Sequence, residues 1–310
     1  MLYNPVLSAI VNVLSRSSLN LVDRYTLGVK KSNVYLALVT NTLIPFVIGA
    51  LLLTMYGSPG LLWQKITSLP CFFLSLIIQV VSTAFSFSFK LWNVRQVVIQ
   101  AKVADICLSL FFAVAYAFSL FQVRQIEYDW ITLLALAISI KSCIPLFMMQ
   151  KPAFLLHKTS LWIIGSLVVQ AIFLSLWKME KGATFEDAAA ISIATLFWRS
   201  LFASSIAWRH ALKEAESDER LSDVLQIQEA WSLHTLLLRP LAMLLTQSTF
   251  IFSIQTGNPL IIFPIINSAP LVSTLLSRLI LKEKLLWQDL VAITGFTLSS
   301  FLPMGATFLK

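Results

Sequence analysis

Residues 265–301 read IINSAPLVSTLLSRLILKEKLLWQDLVAITGFTLSSF. Two apolar windows flank the short charged turn LKEK, and each, followed to its polar or Gly/Pro boundary, is about 20 residues long, the length of a bilayer-spanning helix. Strands of a membrane barrel are about 10 residues of strict polar and apolar alternation, a pattern this stretch lacks. The reading is a pair of transmembrane helices at roughly 260–281 and 288–308.

The same pattern recurs along the whole chain. Apolar windows bounded by charge or by Gly/Pro clusters predict further helices at roughly 5–22, 33–56, 69–89, 96–119, 130–149, 159–177, 188–208 and 231–254, ten in all. The composition agrees: the 310 residues are 57% hydrophobic and only 12% charged, against about one-quarter charged in a soluble domain. The expected fold is an all-α integral membrane protein, a multi-pass protein of the inner cell membrane. Its net charge of +8 is distributed in part over short loops, which is ordinary membrane-loop chemistry and implies no nucleic-acid partner. The expected partners are a small-molecule substrate and membrane lipid; spacing alone leaves the oligomeric state open.

Cys71, Cys107 and Cys143 all fall in apolar segments without C-x-x-C or histidine-rich spacing, so they read as small core residues, and neither metal nor cofactor is expected. The N-terminal MLYNPVLSAIVNVLSRSS lacks a basic leader and reads as the start of the first helix. Only RHALKEAESDERLSDVLQIQEA, residues 209–230, is long and charged enough to stand outside the membrane, as a solvated linker or an interfacial amphipathic helix.

Ten helices divide into two repeats of five, residues 1–150 and 151–310, and an odd repeat forces the second to run with inverted topology, a common plan for alternating-access carriers. Aligning VVIQAKVADICLSLFFAV with IIFPIINSAPLVSTLLSRLI sets Lys102 opposite Asn267 and Asp105 opposite Pro270.

The final segment also resembles the terminal helix pair of the drug/metabolite transporter superfamily, in its ten-helix EamA-type branch. The matching features are Pro270 within the first helix, Glu283 in the turn, the re-entry from Trp287 to Asp289, and Gly295 in the last helix. LNLVDRY, residues 19–25, more faintly resembles the first-helix ending of the sugar-phosphate and nucleotide-sugar branch. The first half departs from this pattern, with Asp105 where the proline would stand and the acids of SLFQVRQIEYDW placed late. The resemblance implies a secondary transporter with both termini inside. Lysine and arginine counts point the other way: the odd-numbered connections hold 3, 2, 2, 3 and 2, and the even ones 1, 1, 2 and 0, which puts the odd loops in the cytoplasm.

Within the predicted helices lie Arg16, Lys102, Lys141, Arg199, Arg239 and Arg278, with Asp105 as the one acid. Arg278 is near a helix end, where it can snorkel; the others sit mid-segment, a depth at which ionisable groups face a bundle interior or wet cavity. Helical spacing gives several of them polar company. Asn12, Arg16, Asn20 and Asp23 form one stripe, and Ser75, Gln79, Ser82 and Ser86 another. Ser192, Thr195 and Arg199 share a face, as do Thr235, Arg239 and Gln247, while Ser166 with Gln170, and Asn41, Thr42 and Asn267, add polar points elsewhere.

Each charge has a structural alternative. Asp105 can neutralise Lys102 as a local ion pair, Arg16 can pair with Asp23, and Arg239 can satisfy a carbonyl freed by Pro240. Glu283 reads as a turn residue and His234 as a packed one. What these alternatives leave is an excess of about +4 in the core, which calls for a mobile counter-ion. The candidate substrate-binding residues are therefore Arg16, Asn20, Gln79, Lys102, Asp105, Lys141, Gln170, Arg199, Arg239 and Asn267. They predict a carrier for a small organic anion, met by arginine forks and lysine point charges and moved by exchange, as an antiporter.

A second reading keeps the carrier and makes the cargo zwitterionic, such as an amino acid or S-adenosylmethionine. Asp105 would then meet the cationic group, Arg199 or Arg239 the carboxylate, and Phe85, Phe89, Trp198 or Tyr116 the flat part. A polytopic enzyme on lipid-linked substrates is disfavoured, because no nucleophile and base, paired carboxylates or metal spacing converge in the sequence. Proton-driven export of lipophilic cations is disfavoured too, since Lys102 neighbours the only candidate acid.

Overall fold

In the computed structural model, residues 4–56, 58–117, 157–177, 184–215, 238–257 and 259–308 are described, with 134, 137, 138, 140–142 and 144 as isolated helical positions. The helices are α1 (Pro5–Asp23), α2 (Val34–Met55), α3 (Pro59–Ile66), α4 (Leu69–Leu91), α5 (Val94–Ala117), α6 (Lys158–Leu176), α7 (Phe185–Ala215), α8 (Arg239–Thr256), α9 (Pro259–Ile266), α10 (Ala269–Ile280) and α11 (Trp287–Phe308). There is no strand among the described residues. Four stretches among them are long and apolar enough to cross a membrane: Pro5–Val29, Val34–Met55, Leu69–Leu91 and Phe185–Leu212.

The helix starts follow local chemistry. The Asn4 side chain accepts from the amides of Val6 and Leu7, Asn33 from those of Tyr35 and Leu36, and Ser68 from that of Cys71, each satisfying first-turn donors that have no partner within the helix. Thr184 and Asp187 form a reciprocal box before α7, side chain to backbone in both directions.

Four elements depart from the sequence reading, the first being the short helix α3, which occupies the connection between the predicted helices at 33–56 and 69–89. The first helix runs on through a π-helical turn, Arg24–Val29. The predicted ninth helix is broken at Asn267 and Ser268 into α9 and α10, because Pro270 has no amide to donate and its ring crowds the carbonyl of residue 266. The seventh reaches Ala215, so the first part of the predicted polar loop is helical; residues 216–230 of that loop lie outside the described residues, as do 231–237 of the predicted eighth helix and most of the fifth.

α1 packs antiparallel to α8, with the Asn12 amide donating to the Thr246 carbonyl and Ser253 Oγ donating to the Pro5 carbonyl. α2 lies on α7 so closely that a Cβ on Gly49 would come within 2.8 Å of Ile193 Cγ1. The largest apolar core gathers Leu27, Val34, Leu38, Phe89, Val97, Ile99, Ile293 and Phe296. That core surrounds the end of α1, the α4–α5 junction and α11. The site lies beside it.

Candidate functional site

The break between α9 and α10 exposes Asn267 toward α5. Its side-chain oxygen accepts from Lys102 Nζ at 2.9 Å, and Asp105 Oδ2 accepts from the same nitrogen at 2.7 Å. Lys102 is thus held by two oxygens, with 6% of its side chain exposed, against 52% for Asp105. The i, i+3 spacing puts both on one face of α5, and that face borders a cavity of about 80 Å³. The lining also includes Arg16 and Asn20 from α1, Phe85 and Phe89 from α4, and Pro270 from α10.

Arg16 differs from its neighbours in the cavity. It makes no hydrogen bond or ion pair among the described residues, and the charge acting on it is that of Asp105. Asn20, one turn on, is fixed by donating to Ser273 Oγ at 3.1 Å, while Ser17 Oγ donates to the Ala269 carbonyl at 3.2 Å, so α1 is pinned to the start of α10 beside the cavity. The cavity lining therefore holds two cations, one of them already engaged, and one carboxylate. Phe85 and Phe89 give it an apolar wall.

Other predicted residues form a second, fully enclosed cluster. Arg199 has no exposed surface; its Nε donates to Gln79 Oε1 at 3.4 Å, and its two terminal nitrogens have no hydrogen-bond partner among the described residues. The nearby charge is Arg239, whose Nε bonds the Asp23 carboxylate and whose Nη1 also has no partner among the described residues. Asp23 therefore answers Arg239 across α1 and α8, whereas sequence spacing suggested Arg16. Pro240 stands in the first turn of α8, where its missing amide leaves no bond unmade.

Gln79, Arg199 and Arg239 of this cluster lie outside the cavity lining, and so do Lys141, Gln170 and Trp198. Lys141 is exposed and Gln170 is half-buried on α6. Trp198 spends its indole N–H on the Ile66 carbonyl and stacks edge-on against Phe72, joining α3 and α4 to α7. Tyr116, Thr235 and His234 have side chains outside the described residues, as does Cys143. Among the described residues, the cations Arg16, Lys102, Arg199 and Arg239 of the cavity and the enclosed cluster face two carboxylates there, Asp23 and Asp105, an excess of +2 over these six groups. Sequence reasoning missed Asp23 as the partner of Arg239 and Ser273 as the anchor of Asn20; only the packing of α1 against α8 and α10 brings them together.

Residues 188–304 match the EamA-like transporter family. That family lies within the drug/metabolite transporter superfamily, which bears out the resemblance read from residues 265–301 and extends it to all of α8, α9 and α10 and most of α7. No curated protein matches the chain. The EamA match, together with the apolar helices, makes this a membrane protein and suggests a transporter of small molecules rather than an enzyme. Of the candidate residues, Arg199, Arg239 and Asn267 lie inside the EamA match, while Arg16, Lys102 and Asp105 lie before it.

Proposed function

We propose that the cavity between α1, α4, α5 and α10 binds a small organic anion and carries it across the inner cell membrane by exchange. The observation that carries this reading is Arg16: a cavity-lining guanidinium with no bonded partner among the described residues, next to a lysine whose position is fixed by Asp105 and Asn267. A guanidinium offers a planar fork of donors that fits a carboxylate or phosphate, and Lys102 supplies a second positive charge close by. Phe85 and Phe89 would take the apolar part of the solute.

The cavity holds little more than a few waters at about 80 Å³, well below the usual range for a ligand site, so the solute enters as the bundle opens. The plan is that of ten helices in two inverted five-helix repeats, 1–150 and 151–310, rocking about the site. An empty cavity carries uncompensated charge through a medium that penalises it, so the return stroke requires a second anion. A zwitterion is the second reading, favoured by the half-exposed Asp105 carboxylate at the same cavity. Counterflow in proteoliposomes tests the exchange step. Labelled anion should accumulate only when an exchangeable anion is preloaded; equal uptake into empty vesicles would refute exchange.

A further inference from the structure

One end of the bundle carries a polar cluster that the cavity does not use. Arg24 stands at the start of the π-helical turn that follows α1, one turn beyond the cavity residue Asn20. Its Nε donates to Glu283 Oε1 at 2.8 Å, its Nη1 to the Phe89 carbonyl at 2.9 Å and its Nη2 to Asn93 Oδ1 at 3.0 Å. Glu283 in turn accepts at Oε2 from Ser277 Oγ at 2.6 Å and from the Val94 amide at 3.2 Å. That amide is the first of α5, whose dipole favours a carboxylate there. Lys282, at φ 54, turns the chain between α10 and α11 just before Glu283. A second pair, Arg95 with Asp289, crosses between the same two regions.

Three features make this cluster more than a surface bridge. Arg24 and Glu283 keep only 15% and 12% of their side chains exposed, within the apolar core around Leu27, Phe89, Val94 and Val97, where a charge-assisted bond is screened far less than at a surface. Its partners adjoin the cavity directly: Phe89 lines it, and Val98, one turn beyond Val94, lines it as well. Gly28 also leaves the guanidinium its place, since a Cβ there would lie 2.0 Å from Arg24 Nη1 and 2.7 Å from the Phe89 carbonyl oxygen.

The Arg24–Glu283, Val94–Glu283 and Arg95–Asp289 contacts join the first half of the chain to the turn of the second, while Phe89 and Asn93 fix Arg24 from within the first half and Ser277 fixes Glu283 from within the second. We propose that Arg24 and Glu283 are the gate that seals one mouth of the cavity, and that the halves must release this pair for the solute to enter or leave on that side. The inference rests on the carrier reading of the cavity. The gate holds the closed mouth through the two bonds that Glu283 accepts from Arg24 and from the Val94 amide, and three further bonds fix the two side chains in place, so it opens cooperatively.

The test is accessibility of the cavity in the full chain. Ala101→Cys, a small cavity-lining position, is introduced with the three native cysteines changed to alanine, and the purified protein is reacted with a water-soluble maleimide. Glu283→Gln, Arg24→Gln and Gly28→Ala are each compared in monodisperse protein, so loss of one to misfolding leaves the others. Each should raise the labelling rate at least about tenfold, the population change expected from losing one charge-assisted hydrogen bond. Asp187→Asn, which removes the Lys65 partner at the α3–α7 contact, should leave the rate unchanged. Unchanged labelling in the gate variants overturns the proposal, and so does equal acceleration by Asp187→Asn, which would mark general loosening. The readout needs no transported solute, so a working gate beside a cavity that binds no anion separates the two readings.

Discussion

Asp105→Asn changes the charge of the cavity while keeping the shape of its lining. Lys102 Nζ retains the Asn267 oxygen at 2.9 Å and meets an amide oxygen where the carboxylate stood, so the fold should survive. The net charge of the lining then rises by one. For an anion seated on Arg16, roughly 6–8 Å from the changed group, removing the repulsion at an effective dielectric of about 20–40 is worth about 1–3 kcal/mol. Anionic ligands should bind about five- to a hundredfold more tightly. A zwitterion whose cationic end rests on Asp105 should behave oppositely, losing a charge-assisted bond of about 1.5–3 kcal/mol and weakening at least about tenfold. Calorimetric titration of wild type and variant with a carboxylated, a phosphorylated and a zwitterionic metabolite reads both directions at once. Affinities that stay the same for all three would refute the idea that Asp105 shapes recognition.

Asp23→Asn leaves the buried Arg239 without its carboxylate and should cost about 3–5 kcal/mol of stability, seen as a lower thermal midpoint in detergent. Arg199→Met removes a guanidinium whose terminal nitrogens are unbonded; stability should hold or rise, while proteoliposome uptake falls if Arg199 meets the solute in another conformation. A loss of stability matching that of Asp23→Asn would show instead that Arg199 is a structural support. Gly49→Ala pushes against Ile193 and Leu244 and should cost about 1–3 kcal/mol through overpacking of α2 on α7 and α8, again read by thermal unfolding.

The helical class and many of the helix boundaries were legible in the sequence because hydropathy windows and polar punctuation report them directly. The i, i+3 pairing of Lys102 and Asp105 was legible for the same reason, since helical spacing fixes which side chains share a face. The break at Asn267 was hidden: α9 and α10 are each apolar, and together they fill one window of spanning length. Its signal lay in Pro264 and Pro270 flanking an Asn-Ser pair. The pairing of Asp23 with Arg239 joins residues 216 positions apart, beyond any periodicity. That Lys141 is exposed was not legible, because an apolar flank looks the same whether its helix face is buried or exposed. Glu283 was read correctly as a turn residue, but its bond to Arg24 depends on how the ends of α1 and α10 come together.

Ligand-dependent thermal stabilisation of the purified chain tests the anion-binding cavity most directly, since a solute that binds only the native state at about 100 times its Kd stabilises it by about 2.7 kcal/mol. A panel of carboxylated and phosphorylated metabolites should contain members that raise the thermal midpoint of wild type in a saturable way, and Arg16→Gln should abolish that rise while leaving the unliganded midpoint close to wild type. The account is contradicted if no anion or zwitterion shifts the wild-type midpoint, or if the shift persists undiminished in Arg16→Gln.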